Sequence, residues 1–280
     1  MYLRPETLSR AVQSLADHGG LIMAGGTDVF PAHVGRPLPS HVVDVTRLPE
    51  LRGITRTGKF YRFGGAVRWS EVAGSELPPM FDALKAAACE VGSVQIQNRA
   101  TIAGNLCNAS PAADGIPPLL ALDAEVELVS VRGSRRLKLA DFMTGYRSTA
   151  RAPDEILSAV LVPVMAEGAR SAFRKLGSRR YLVISIIMAA AVIRTARDGL
   201  IAEARVALGA ASPVARRLET LESDLRGVPA AALAEFDVSD VHLAPLTPID
   251  DVRATAAYRL DAASALVRRT LLAACGTADA

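Results

Sequence analysis

A short apolar segment, Leu21-Ile22-Met23-Ala24, runs without a linker into Gly25-Gly26-Thr27-Asp28. No other stretch of the chain constrains the fold as much. A buried strand ending on two glycines lets bare backbone N–H groups converge on one point, and small residues let a bulky anion come close. The Thr27 hydroxyl adds a donor. Ile22, Met23, Ala24, Gly25, Gly26, Thr27, Asp28 and Val29 are therefore a candidate diphosphate cradle. A plain tight turn after a strand is the competing reading. The spacing lacks both the GxGxxG of a Rossmann unit and the GxxxxGK[ST] of a P-loop, which disfavours those dehydrogenases and NTPases.

The surrounding pattern is mixed. Leu8, Val12 and Leu15 recur at helical spacing, and Gly19-Gly20 stops that helix. His41-Val42-Val43-Asp44-Val45 and Phe60-Tyr61-Arg62-Phe63-Gly64-Gly65 read as strands, and residues 81–91 as a helix. Residues 92–118 are rich in Asn, Ser, Gly, Ala and Pro and show little periodicity, so they read as a long, functional loop. Val126, Leu128 and Val131 suggest an alternating strand. Residues 189–195 and 204–210 flank Asp198-Gly199, a hairpin signature. The last element, residues 250–275, reads as an amphipathic helix with Tyr258, Leu260, Leu266 and Leu271 on its apolar face. The class is α+β without strict βαβ alternation.

Composition narrows the function. Aromatics are 5%, with one Trp, and the net charge is +3 without a basic block, which argues against a nucleic-acid surface built on stacking. The longest apolar run, residues 181–193, contains Ser185 and is shorter than the ~20 residues a membrane span needs. Cys89, Cys107 and Cys275 form no CxxC pair, and His18, His33, His41 and His242 share no ligand spacing. Neither a metal nor an iron–sulfur cluster is expected inside the chain. A cytoplasmic location is the simplest expectation.

A second candidate is Thr101-Ile102-Ala103-Gly104-Asn105, continuing to Asp114. Thr and Asn offer side-chain hydrogen bonds, Ala and Gly allow close approach, and a carboxylate accepts from sugar hydroxyls. An Asn-rich loop bonding to its own backbone fits the composition equally well. Lys175 could neutralise an anion; a solvated basic patch is the blander reading. No HExxH or GxSxG motif occurs, and no catalytic acid or base stands out.

Together these residues resemble a known family. Ala24-Gly25-Gly26-Thr27-Asp28 and Thr101-Ile102-Ala103-Gly104-Asn105, about 75 residues apart, are similar to the paired flavin loops of the molybdenum hydroxylases. The match is to the FAD-binding medium subunit of xanthine dehydrogenase and carbon monoxide dehydrogenase type enzymes. Val43-Asp44-Val45-Thr46-Arg47-Leu48-Pro49-Glu50-Leu51, Gly64-Gly65-Ala66-Val67 and Asp154-Glu155-Ile156-Leu157 extend it, and the longest matching stretch runs from Val91-Gly92-Ser93-Val94-Gln95-Ile96-Gln97-Asn98 through Pro117-Pro118-Leu119-Leu120-Ala121-Leu122. The resemblance implies a two-subdomain FAD-binding fold of the vanillyl-alcohol-oxidase-like (PCMH) type over residues 1–170, with subdomains of about 1–57 and 58–170. It implies a C-terminal α+β domain of the CO dehydrogenase flavoprotein type over residues 171–280.

The resemblance also implies roles. Residues 22–29 and 101–105 would bind the pyrophosphate and ribityl groups of FAD, Asp114 would hold ribityl or ribose hydroxyls, and Leu157 and Lys175 would lie near the isoalloxazine. Relatives commonly carry Gly where this chain has Ala103, so a glycine-only backbone angle would be lost there. The implied function is an oxidoreductase: an electron-transfer subunit fed by the [2Fe–2S] clusters of a small partner, beside a large molybdenum-cofactor subunit. A dimer of heterotrimers and transfer to NAD+ or another acceptor complete the expectation. A stand-alone flavin oxidoreductase and a non-redox FAD-binding scaffold are the rivals.

Overall fold

The computed structural model describes residues 1–276, which gather into two compact units. The first comprises Met1–Val72, Ser93–Ala109 and Ala124–Val164. It holds two main sheets. In the smaller, β1 (Tyr2–Leu3), β2 (Leu21–Met23) and β3 (Val42–Asp44) lie parallel in the order β1-β3-β2. The helix Leu8–His18 covers this sheet with Ala11, Val12 and Leu15, packed with Val43, Val45, Leu48 and Leu51. Gly19, at φ 62, ends the helix in a conformation that glycine adopts without strain.

The larger sheet is antiparallel. It contains β4 (Ile54–Thr57), β5 (Phe60–Gly64), β6 (Glu125–Ser130), β7 (Gly133–Lys138) and β10 (Ile156–Pro163), in the order β4-β5-β10-β6-β7. A two-stranded ribbon, β8 (Met143–Gly145) with β9 (Ser148–Thr149), lies apart from it. The register between β10 and β6 slips between Leu157 and Ala159. Such a bulge re-aims the backbone locally. On the other side of β10 the ladder with β5 continues past Gly64, the Gly65 N–H donating to the Ser158 carbonyl at 2.8 Å.

Two sequence expectations change in this unit. Strand β6 ends at Ser130, so its inward set is Val126, Leu128 and Ser130, while Val131 is exposed. Residues 92–118 are not a featureless loop: they contain the helices Val94–Gln97, Ile102–Asn108 and Ile116–Ala121. The last belongs to the second unit. Pro117 and Pro118 look like helix breakers, but both sit in the first turn, where proline is tolerated.

The second unit comprises Ala73–Gly92, Ser110–Asp123 and the described residues from 165 onward. Its sheet is antiparallel, in the order β11 (Arg170–Leu176), β12 (Ile187–Thr195), β13 (Ile201–Gly209) and β14 (Arg216–Arg217). The Asp198-Gly199 hairpin joins β12 to β13 as the sequence suggests. Strand β12 is buried on both faces by parity. Ile187, Ala189, Ala191 and Ile193 face the helix Ala256–Cys275 in one core. Met188 lies on the other side, where its side chain and Pro117 crowd Gly209. The long C-terminal helix begins at its Thr255 cap and buries Ala263, Val267, Leu271 and Ala274. Tyr258 and Leu260, expected on its apolar face, are exposed instead.

Candidate functional site

Strand β2 delivers the chain to Gly25 and Gly26, and the two glycines do different work. A Cβ on Gly25 would lie 2.0 Å from the Arg99 carbonyl oxygen, so no side chain fits there. Gly25 therefore packs backbone to backbone against Arg99 and Ala100, immediately before Thr101. Gly26 is buried and adopts φ +77, a conformation that costs other residues ~1–2 kcal/mol. The Gly26 carbonyl accepts from Phe30 N–H at 3.1 Å, turning the chain into the short helix Val29–Ala32. The N–H groups of Gly25, Gly26, Thr27, Asp28 and Val29 have no acceptor among the described residues. Unpaired amides clustered in one tight turn form a concavity suited to an anion.

The second segment is built differently. Thr101 caps the helix Ile102–Asn108, its hydroxyl accepting from Gly104 N–H at 3.1 Å. Ile102 N–H donates to the Val67 carbonyl, Ala103 N–H to the Gly65 carbonyl, and Asn105 N–H to the Thr101 carbonyl. All four amides from 102 to 105 are thus occupied. What this segment leaves open is a side chain: Asn105 Oδ1 is buried and finds no partner. Ala103 is helical and is not among the residues with positive φ, so a glycine-only angle is not needed and the methyl costs nothing there. Leu157 is buried in β10, and its carbonyl would lie 2.3 Å from a Cβ on Gly65. Residues 25–26, 65, 99–105 and 157 are therefore brought into one backbone cluster, although they span four separate stretches of sequence.

Asp114 and Lys175 belong to the second unit, where they meet each other. Lys175 Nζ donates to Asp114 Oδ2 at 2.8 Å, with the two side chains 7% and 8% exposed. Ser185 Oγ donates to Asp114 Oδ1 at 2.7 Å. Lys175 is consequently not part of a solvated patch. Burial pushes Asp114 above the ordinary carboxylate range, against the pull of Lys175 and Ser185. Burial also pushes the Cys107 thiol up to about 11, so it is not a thiolate nucleophile at neutral pH.

Sequence reasoning left out Gly65, Arg99, Ala100 and Ser185. The lone hydroxyl inside the apolar run 181–193 was the available signal for Ser185. Nothing local marks Arg99 and Ala100, because they matter only through the approach of Gly25.

Comparison with known proteins decides the family. Residues 1–165 match the family described as the FAD binding domain in molybdopterin dehydrogenase, and residues 171–274 match the CO dehydrogenase flavoprotein C-terminal domain. The chain belongs to this family. A xanthine dehydrogenase FAD-binding subunit from Escherichia coli is 33% identical over 276 residues, covering 96% of this chain and 94% of the relative. The nicotine 6-hydroxylase medium subunit of Paenarthrobacter nicotinovorans is 30% identical over 280 residues, covering 98% and 96%. Among solved structures, a carbon monoxide dehydrogenase from Hydrogenophaga pseudoflava superposes with a TM-score of 0.87 at 28% identity, covering 98% of this chain and 96% of that one.

The chain thus carries an FAD-binding domain and a flavoprotein C-terminal domain. Its residues fit the cofactor: free amides and an orphaned buried carbonyl oxygen are what a diphosphate and a hydroxylated chain would satisfy. Among the described residues, no group of His, Cys, Asp or Glu could hold a metal ion, and no helix is long and apolar enough to cross a membrane.

Proposed function

We propose that this chain is the FAD-carrying electron-transfer subunit of a molybdenum-cofactor hydroxylase of the xanthine dehydrogenase type. In this reading it assembles with a large molybdenum subunit and a small [2Fe–2S] subunit as a dimer of heterotrimers in the cytoplasm. Electrons reach it from the iron–sulfur clusters and leave to NAD+ or another acceptor. One observation carries the proposal: five unpaired amides at residues 25–29 lie in the stretch where the family match and the glycine geometry coincide.

FAD, when bound, supplies the redox chemistry by accepting electrons and passing them on. The protein's residues bind and orient it. Residues 22–29 would hold the diphosphate through their amides, and Gly26 would keep those amides convergent. Thr101 would fix the second segment by its cap, and Asn105 Oδ1 would accept from the ligand's hydroxyls. Asp114 would take part as an acceptor: an ionised carboxylate has roughly four acceptor sites, and Lys175 and Ser185 use two of them. Leu157 would contribute an apolar wall. No residue of this chain is assigned a step on the hydroxylated substrate.

Purification from native cells tests the proposal. The chain should co-purify with a molybdenum subunit and a [2Fe–2S] subunit, and substrate should bleach the flavin band only in that assembly. Turnover by the isolated chain with its own small substrate would contradict this reading in favour of a stand-alone oxidoreductase.

A further inference from the structure

Strand β11 ends its sheet, so one of its sides has no partner strand among the described residues. Alternate N–H and C=O groups along such an edge point away from the sheet, and proteins usually cover or blunt them. Here helices flank the edge on two sides. Ser171 ties β11 to one of them, accepting from Ala83 N–H at 2.8 Å in the helix Asp82–Glu90. Arg174 ties β11 to the other, its Nε donating to the Arg269 carbonyl at 3.3 Å in the helix Ala256–Cys275. Between the helices lies a groove of about 540 Å³.

Residues 173 to 177 all line this groove. Successive side chains of a strand point to opposite faces, so a floor formed by the four consecutive strand residues 173–176, with Gly177 just past the strand's end, is the backbone edge itself. The walls are low. Ala86 stands on one side, with Ala262 and Ala265 on the other, which leaves width for a second backbone. The charge is one-sided. Arg179, Arg180 and Arg269 line the groove, and Glu90 is the one carboxylate among its described lining residues. Lys175 is already balanced by Asp114. Arg180 and Arg269 are exposed.

We infer that this groove takes an extended, acidic segment of a partner subunit, added as a fifth strand along β11. A strand-shaped slot of four residues is about 13 Å long at the usual rise. Main-chain pairing gives such a contact its affinity, and the arginines select an acidic sequence. A compact anion would leave the strand edge unused. The inference rests on the reading of this chain as one subunit of a complex.

Amide hydrogen exchange tests it, with the full chain alone compared with the assembled complex purified from native cells. Exchange at residues 173–177 should slow by about tenfold or more on assembly. The double variant Arg180→Glu/Arg269→Glu should lose that protection while keeping its FAD. Assembly without protection at 173–177 overturns the inference and leaves the subunit reading intact. Failure to assemble at all overturns both. Protection of 173–177 in the isolated chain by added inorganic pyrophosphate would show a small-anion site instead and would also overturn it.

Discussion

The segments at 25–29 and 101–105 look alike in sequence and work by opposite means. In the first, the backbone is what is left open: five amides have no acceptor among the described residues, and two glycines shape the turn that carries them. In the second, the backbone is spent on structure: four amides are satisfied by Val67, Gly65 and Thr101, and what is left open is the Asn105 side chain. A small residue thus has different meanings at the two places. At Gly25 it permits a backbone contact that no Cβ would survive. At Ala103 it only avoids bulk.

Substitution should separate the two. Gly25→Ala places a Cβ 2.0 Å from the Arg99 carbonyl oxygen and should cost about 3 kcal/mol or more, in the upper tail of point substitutions. FAD content and the melting temperature should fall together. Gly104→Ala meets only Thr101 Oγ1 at 3.0 Å within a helix, where alanine is the better former. It should keep the fold. Equal damage from both variants would break the comparison.

Asn105→Ala sharpens it. A buried polar atom without a partner costs about 1–3 kcal/mol, so removing it should raise the melting temperature of the apoprotein. The same change should weaken FAD binding by about tenfold, the value of one good hydrogen bond. Differential scanning fluorimetry and flavin titration read the two effects separately. Weaker FAD binding with an unchanged or lower apo melting temperature would deny that Asn105 is held in reserve for a ligand.

Thr101→Val removes the helix cap and should cost about 1 kcal/mol of stability. Its effect on FAD affinity should be smaller than that of Asn105→Ala, because the hydroxyl is already engaged by Gly104. Flavin titration and thermal melts of the two variants side by side check the order.

The smallest effect is a pH dependence beside the first segment. Asp44 pairs in register with Met23, next to the strand that leads into Gly25. Burial pushes its carboxyl up, but hydrogen bonds from Thr46, Tyr2 and Arg4 outweigh burial and hold it below the ordinary range. Its folded value is below its unfolded one. The stability it adds is therefore complete above about pH 4 and is lost as pH falls through that unfolded value and then the folded one. Acid melts of Asp44→Asn should show a shallower decline, the remainder coming from Glu155 and the other carboxylates held low by their partners, while melts of Thr101→Val should keep the full decline.

The strand–glycine junction, the first helix and the β12–β13 hairpin were legible because each has a local period and a local stop. The helices within 92–118 were not. Val94–Gln97 has four residues and Ile102–Asn108 has seven, too short for a helical period to show, and both are held by tertiary contacts. In the candidate site, the residue types of both segments could be read, but their division of labour could not. It depends on Val67 and Gly65 reaching the amides of residues 102 and 103. The Asp114–Lys175–Ser185 cluster joins positions 61 and 71 residues apart, and no spacing rule links them.

The most direct test of the account is flavin binding by the purified chain, followed at Trp69. This is the sole tryptophan, fully buried, and its backbone N–H donates to the Ala100 carbonyl at 3.2 Å beside the second segment. FAD added to apoprotein should quench Trp69 and saturate at one per chain, and Gly25→Ala should abolish both the quenching and the bound flavin. A wild-type chain that folds, stays colourless with excess FAD and leaves Trp69 unquenched would contradict the account.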